Sequence, residues 1–175
     1  MSDEITEEEQ QRYLELQRMA LDFARNGETD ELNRMLEAGM PPDLYDEKGQ
    51  SLLMLASYNG HEETTRMLLA HGAEVDRRND RGQTPLGGVA FKGYVSVAKL
   101  LIEAGADIHA NNGGGMTPLH YATMFGRWEV ARLLETHGAT LNRESPDTLD
   151  TQDGLFSRLI RKLVELRGRF RSRNR

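Results

Sequence analysis

Residues 105–138 read GADIHANNGGGMTPLHYATMFGRWEVARLLETHG, and the pattern in this stretch recurs through most of the chain. Gly105 and Gly138 lie 33 residues apart, and Gly72 and Gly39 continue the series upstream at the same step. Gly126 belongs to a second series with Gly93, Gly60 and Gly27, and Gly115 to a third with Gly82 and Gly49. Glycine at a fixed phase marks a backbone position that needs positive φ, either in a turn or just past a helix end. Three such positions per period predict a supersecondary unit with three fixed turns, repeated along the chain. Stacks of this kind build binding surfaces far more often than catalytic pockets.

Between the glycines the residues read as pairs of short helices. Thr117-Pro118-Leu119-His120-Tyr121-Ala122 opens one helix, and Trp128 to Thr136 returns, closed by His137-Gly138. Threonine is a good N-cap, and proline at the first helical position costs no intrahelical bond. Upstream, Thr84-Pro85-Leu86 and Val95 to Glu103 form one pair; Ser51 to Ala56 and Glu62 to Leu69 form another. The first pair is different. A longer helix is expected from about Glu7 to Arg25, with Thr6 and Glu9 as a capping box and acids at the positive end of the helix dipole. Leu14, Leu16, Met19, Ala20 and Phe23 give it an apolar stripe. Thr29 to Glu37 returns, with Leu32, Met35 and Leu36 inward. Polar connectors such as residues 75–82 join the units.

These residues resemble the ankyrin repeat. Thr117-Pro118-Leu119-His120-Tyr121-Ala122 matches its T-P-L-H-x-A signature, Gly60-His61 its second-helix start, and Gly105-Ala106-Asp107-Ile108 its exit. The resemblance covers about residues 16–143. It implies an all-α solenoid: an acidic extension and the start of a capping helix over 1–15, four repeats over 16–45, 46–78, 79–111 and 112–144, and a basic C-terminal helix with a disordered arginine-rich end over 145–175. In the third unit Gly87-Gly88-Val89 replaces the H-x-A of the signature. Two mid-helix glycines cost about 1 kcal/mol each relative to alanine. They read as a tolerated weak spot in preference to a soft seam or a point of close partner approach.

The resemblance also implies a groove lined by first-helix ends and connector tips. One row is Arg25, Tyr58, Phe91 and Met124, and the adjacent row is Asn26, Asn59, Lys92 and Phe125. Connector tips add Arg81 and Met116, among others. Tyr58, Phe91, Met124 and Phe125 are apolar at positions the stack does not need for its own core, which suits interface anchors. The implied function is noncatalytic recognition of a protein partner by a monomer, as scaffold, inhibitor or protector.

The net charge of −6 hides an asymmetry. Residues 155–175 hold eight bases and one acid, leaving −13 on the rest. Leu155, Phe156, Leu159, Ile160, Leu163, Val164 and Leu166 fit a helical apolar stripe, with Arg158, Arg161, Lys162 and Arg169 elsewhere around it. Three readings compete: a cap over Leu133 and Leu134, an amphipathic helix for an anionic membrane or a calmodulin-like partner, and nonspecific nucleic-acid binding. The acidic start and this tail are expected at opposite ends of the stack, separated by well more than the screening length, and so are not expected to pair within one molecule.

No chemistry stands out. His61 and His120 belong to repeat motifs, and His71, His109 and His137 sit near repeat exits; none has metal-ligand spacing. Asn111-Asn112-Gly113-Gly114-Gly115 lacks the Lys-Ser/Thr of a phosphate loop and reads as a flexible connector tip. There is no cysteine nucleophile and no G-x-S-x-G. The reading is therefore no catalytic residue, no cofactor, no metal and no small-molecule substrate. Absent cysteine and an acidic start without an apolar h-region point to the cytoplasm.

Overall fold

The structure, a computed structural model, describes residues 6–141. Eight helices are present among them: α1 (Glu7–Asn26), α2 (Thr29–Glu37), α3 (Leu52–Tyr58), α4 (Glu62–Ala70), α5 (Pro85–Lys92), α6 (Val95–Glu103), α7 (Pro118–Met124) and α8 (Trp128–Thr136). The expected readings of residues 142–175, including the basic helix with Arg158, Arg161, Lys162 and Arg169, lie outside the described residues.

Each first helix starts where a hydroxyl can satisfy an orphan amide. Ser51, Thr84 and Thr117 accept from the N–H groups of Met54, Gly87 and His120. Thr6 does the same for Glu9, whose carboxylate reaches back to the Thr6 N–H at 2.8 Å, completing the capping box. That contact holds the Glu9 carboxyl below its ordinary range. Gly27 and Gly93 end α1 and α5 at φ of 76° and 90°, a conformation that would strain any side chain.

α1, α3, α5 and α7 pack side by side in one layer, and α2, α4, α6 and α8 in a second. The period is visible in the core. Ala20, Leu53, Leu86 and Leu119 occupy one phase and are all fully or almost fully buried, as are Leu68, Leu101 and Leu134 in the second layer. Each leucine removed from water contributes about 1.5–3 kcal/mol, and each is completed by neighbours from the adjacent unit.

α1 is the exception to the repeat. It is 20 residues long where α3 is 7, and the extra turns lie at its N-terminus. Only its last half follows the repeat, with Ala20 and Ala24 buried. Tyr13, Leu14, Leu16 and Met19 are exposed. The stripe expected to face inward from Leu14 onward is therefore inward only from Ala20, because the partner helices α2 and α3 cover only that end.

The connectors are built turns. Asp46 Oδ1 accepts from the N–H groups of Lys48 and Gln50, and Asn79 Oδ1 from those of Arg81 and Gln83. Adjacent connectors are tied together: Asp43 Oδ1 accepts from Glu74 N at 2.8 Å, and Asp76 Oδ2 from Asp107 N at 2.9 Å, 33 residues on. Asp76 Oδ1 is buried with no hydrogen-bond partner among the described residues, and burial raises this carboxyl above its ordinary range.

Candidate functional site

The glycine pair of the third unit has a specific cause. In the fourth unit, His120 Nδ1 accepts from the Thr117 N–H at 3.2 Å and faces its hydroxyl at 2.7 Å. Burial pushes this imidazole below the ordinary histidine range, which suits a ring nitrogen kept as an acceptor. The third unit has Gly87 at the matching position. Its place is taken by Asn112 from the following connector. Asn112 Oδ1 accepts from the Thr84 N–H at 2.7 Å and the Thr84 hydroxyl at 3.0 Å, while its amide donates to Ala110 O. A Cβ on Gly87 would stand 2.1 Å from that oxygen. The reading of Gly87 as a merely tolerated weak spot is thus corrected: the absent side chain is the space Asn112 fills.

The same displacement rebuilds the tip of the last connector. Asn112 sits at the phase of Asp46 and Asn79 but has turned inward, so Asn111 Oδ1 serves the turn, accepting from Gly113 N at 2.9 Å and Gly115 N at 3.1 Å. The stretch expected as a flexible connector tip forms a hydrogen-bonded glycine turn, with φ of 102°, 58° and 75° at Gly113, Gly114 and Gly115.

Gly88 is shaped by the groove. Its Cβ position lies 3.0 Å from Tyr58 Cδ2, so the tyrosine ring rests on the bare backbone of the next unit. Lys92 Nζ lies 5.2 Å from the centroid of that ring and 5.8 Å from the Tyr94 ring, within cation–π range of both. Phe91 and Phe125 meet edge to face with centroids 4.5 Å apart. The structure thus joins the two expected rows diagonally into a patch of Tyr58, Lys92, Phe91 and Phe125, with Met124 in the last unit. Tyr58, Met124 and Phe125 are 40%, 38% and 44% exposed. Phe91 and Lys92 are half-buried. Arg25 and Asn59 are exposed, Arg25 paired with Asp22. Arg81 is exposed and Met116 half-buried on the connector tips, away from the aromatic patch at the other ends of the first helices.

Tyr94, Val95 and Trp128 were not among the expected residues. Tyr94 holds the phase of His61 and leans its ring against Gly60, 3.0 Å from where a Cβ would be. Val95 and Trp128 are 37% and 36% exposed at the starts of α6 and α8. A signal existed: the equivalent positions, Thr29 and Glu62, are polar. Connector residues carry a further stacked pair, with Arg77 Cζ 4.4 Å from the Tyr45 ring centroid.

No described helix is long and apolar enough to cross a membrane. Among the described residues, no group of three His, Cys, Asp or Glu side chains is placed to hold a metal ion.

Comparison with known proteins agrees with the stacked helical pairs. A family model of ankyrin repeats (3 copies) matches residues 20–112, and one of the single ankyrin repeat matches residues 114–145. A protein of Pseudomonas aeruginosa described as an ankyrin repeat protein is 53% identical over 38 residues, which is 22% of this chain and 22% of that protein. Ankyrin repeats as a class are protein-interaction modules, typically non-enzymatic. The two family matches together span most of the chain, and the chain belongs to the ankyrin repeat family.

Proposed function

We propose that this chain is a noncatalytic binding module that recognises a protein partner through the aromatic patch of its first-helix ends, with the connector tips at the opposite ends of those helices as a second contact area. One observation carries the reading. Tyr58 in the second unit and Met124 and Phe125 in the fourth keep roughly two fifths of their surface in water, with the half-buried Phe91 of the third unit between them against Phe125, although none is needed to complete a repeat core. Scattered exposed apolar residues are ordinary, whereas a contiguous strip of them is the usual mark of an interface. Lys92 and Arg25 beside the strip favour a partner with an acidic segment flanking an apolar one. The module works as a cytoplasmic monomer.

The test is affinity capture with the wild type beside a Tyr58→Ser/Met124→Ser/Phe125→Ser variant, followed by titration of the captured protein. Phe91 is left intact because it is half-buried. Anchors of this type each contribute about 2 kcal/mol or more, so affinity should drop at least tenfold with helicity unchanged. Full affinity in the variant would remove the patch from the site. A chain lacking residues 155–175 should bind as the wild type does.

A further inference from the structure

The N-terminal half of α1 has no neighbouring helix among the described residues. Tyr13, Leu16 and Met19 share one face and are 46%, 38% and 46% exposed, and Leu14, on the other side of the helix, is 49% exposed, which makes this the densest run of exposed large apolar residues in the described chain. Acids surround it. Residues 3–15 contain six acids and one base, and Glu8 and Glu15 flank Leu16 and Met19 around a shallow depression that Gln11 and that one base, Arg12, also line.

The chain contains a segment of complementary character. Residues 155–166 carry seven apolar residues at helical spacing, and residues 155–175 carry eight bases against one acid. The last repeat offers this segment no charge complement, since residues 112–141 hold two acids, Glu129 and Glu135, and two bases, Arg127 and Arg132.

Topology brings the two within reach. Each first helix starts at the connector edge of the stack and each second helix returns there. The overhang of α1, about 18 Å for its 12 extra residues, therefore projects from the same edge at which the chain leaves α8. Three repeat steps of about 10 Å separate them. The residues between Leu141 and Leu155 can span up to about 46 Å when extended. The expectation that the acidic start and the tail do not pair within one molecule is thereby reversed, because the intervening chain bridges their separation. A tether of this length also keeps the local concentration in the millimolar range.

We propose that residues 155–166 dock as an amphipathic helix on the exposed face of α1 in the same molecule, its apolar stripe against Leu16 and Met19 and its bases against Glu8 and Glu15. The covered face is that of the stack's first helix, so the segment caps the N-terminal end and not the last repeat.

The chain has no cysteine, which makes a site-specific crosslink clean. Gln11→Cys with Ser157→Cys reports docking on α1; Arg132→Cys with Ser157→Cys reports capping of the last repeat. Each full-length variant is treated with a bismaleimide at micromolar concentration. The proposal expects crosslinked monomer for the first pair, at least tenfold more than for the second. That product should be lost when Leu159→Asp and Leu163→Asp are added, and lowered by Glu8→Lys with Glu15→Lys. Crosslinked dimer in place of monomer, a dominant product for the second pair, or fully labelled thiols without a crosslink would each overturn it. Circular dichroism of each variant establishes that the repeats are folded, so a missing crosslink is not an unfolded chain.

Discussion

Alanine in place of a mid-helix glycine ordinarily stabilises a helix by about 1 kcal/mol, and Gly87→Ala should do the opposite. The new Cβ would lie 2.1 Å from Asn112 Oδ1 and 2.5 Å from its Cγ, so Asn112 must leave. Its departure takes the acceptor from the N–H and hydroxyl of Thr84, which is fully buried, and the donor from Ala110 O. A buried polar group left without its partner costs about 1–3 kcal/mol. Two or three such groups outweigh the gain in propensity and leave a net loss of about 2–4 kcal/mol. For a chain of this size each kcal/mol shifts Tm by about 2–4 °C, so Tm should fall by roughly 5–15 °C. Thermal and urea denaturation followed by far-UV circular dichroism read both quantities. The repair is specific: Gly87→His with Asn112→Gly transplants the Thr117–His120 arrangement into the third unit. The double variant should regain most of the loss, while Gly87→His alone remains impaired. Gly87→Ala as stable as wild type, or more so, would refute Asn112 as the cap of α5.

Other outcomes follow from the same geometry. Gly88→Ala should change stability by less than about 1 kcal/mol, because its Cβ meets only the edge of the Tyr58 ring, which is 40% exposed and free to tilt; a loss as large as that of Gly87→Ala would show the ring to be fixed. His120 is held below the ordinary histidine range by burial, so the unfolded chain takes up its proton first. Its contribution is complete above about pH 6.5 and is lost as pH falls through the lower folded-state value; urea titrations should show a shallower acid decline for His120→Gln than for wild type, and equal slopes would count against the assignment. The raised Asp76 carboxyl works in the other direction, its contribution being present below the unfolded value near pH 3.8 and lost as pH rises through the folded one. Asp76→Asn keeps an oxygen for the Asp107 N–H and removes the buried charge, so its Tm at neutral pH should equal or exceed that of wild type; a clear decrease would mean the charge itself is used.

What could be read from the sequence is what neighbouring residues decide. The starts of α2, α6 and α8 fall at Thr29, Val95 and Trp128 as expected, because a cap, a proline or a glycine within a few positions fixes them. The capping box of Thr6 and Glu9 is likewise local. Asn112 was opaque because its partner Thr84 is 28 residues away, and its periodic equivalents Asp46 and Asn79 serve their own turns. Phe91 was expected to stand free in the groove, and nothing within its own unit signals the edge-to-face contact with Phe125 one repeat on. Leu16, Met19, Ala20 and Phe23 keep helical spacing along α1 while Leu14 lies on its other side, and spacing cannot say where the neighbouring helices stop. Leu14 and Leu16 fall beyond that point.

The groove inherits its rigidity from the stack. The last carbonyls of a helix lack intrahelical partners, and here the following unit supplies some. His61 Nε2 lies 2.9 Å from Arg25 O, and Arg127 Nε donates to Phe91 O at 3.0 Å, in each case 36 residues along. Both acceptors belong to the row of residues expected to line the groove. The bonding side chains also press against the glycines that end those helices: the Gly27 Cβ position is 2.5 Å from His61 Nδ1, and that of Gly93 is 2.7 Å from Arg127 Cδ. One contact therefore does two things. It requires glycine at the turn, which fixes the period, and it holds the preceding helix end at a set distance from the next. In the proposed mode of binding, the row that includes Phe91 would meet a partner already positioned, so little of the binding free energy would be spent on ordering it. Arg127→Ala deletes no side chain of the proposed groove but removes this tether together with the packing of Arg127 on Gly93. If the stack sets the proposed groove, that substitution should weaken binding of the captured partner, and a variant that binds as wild type does would show the row to be positioned by its own helix alone.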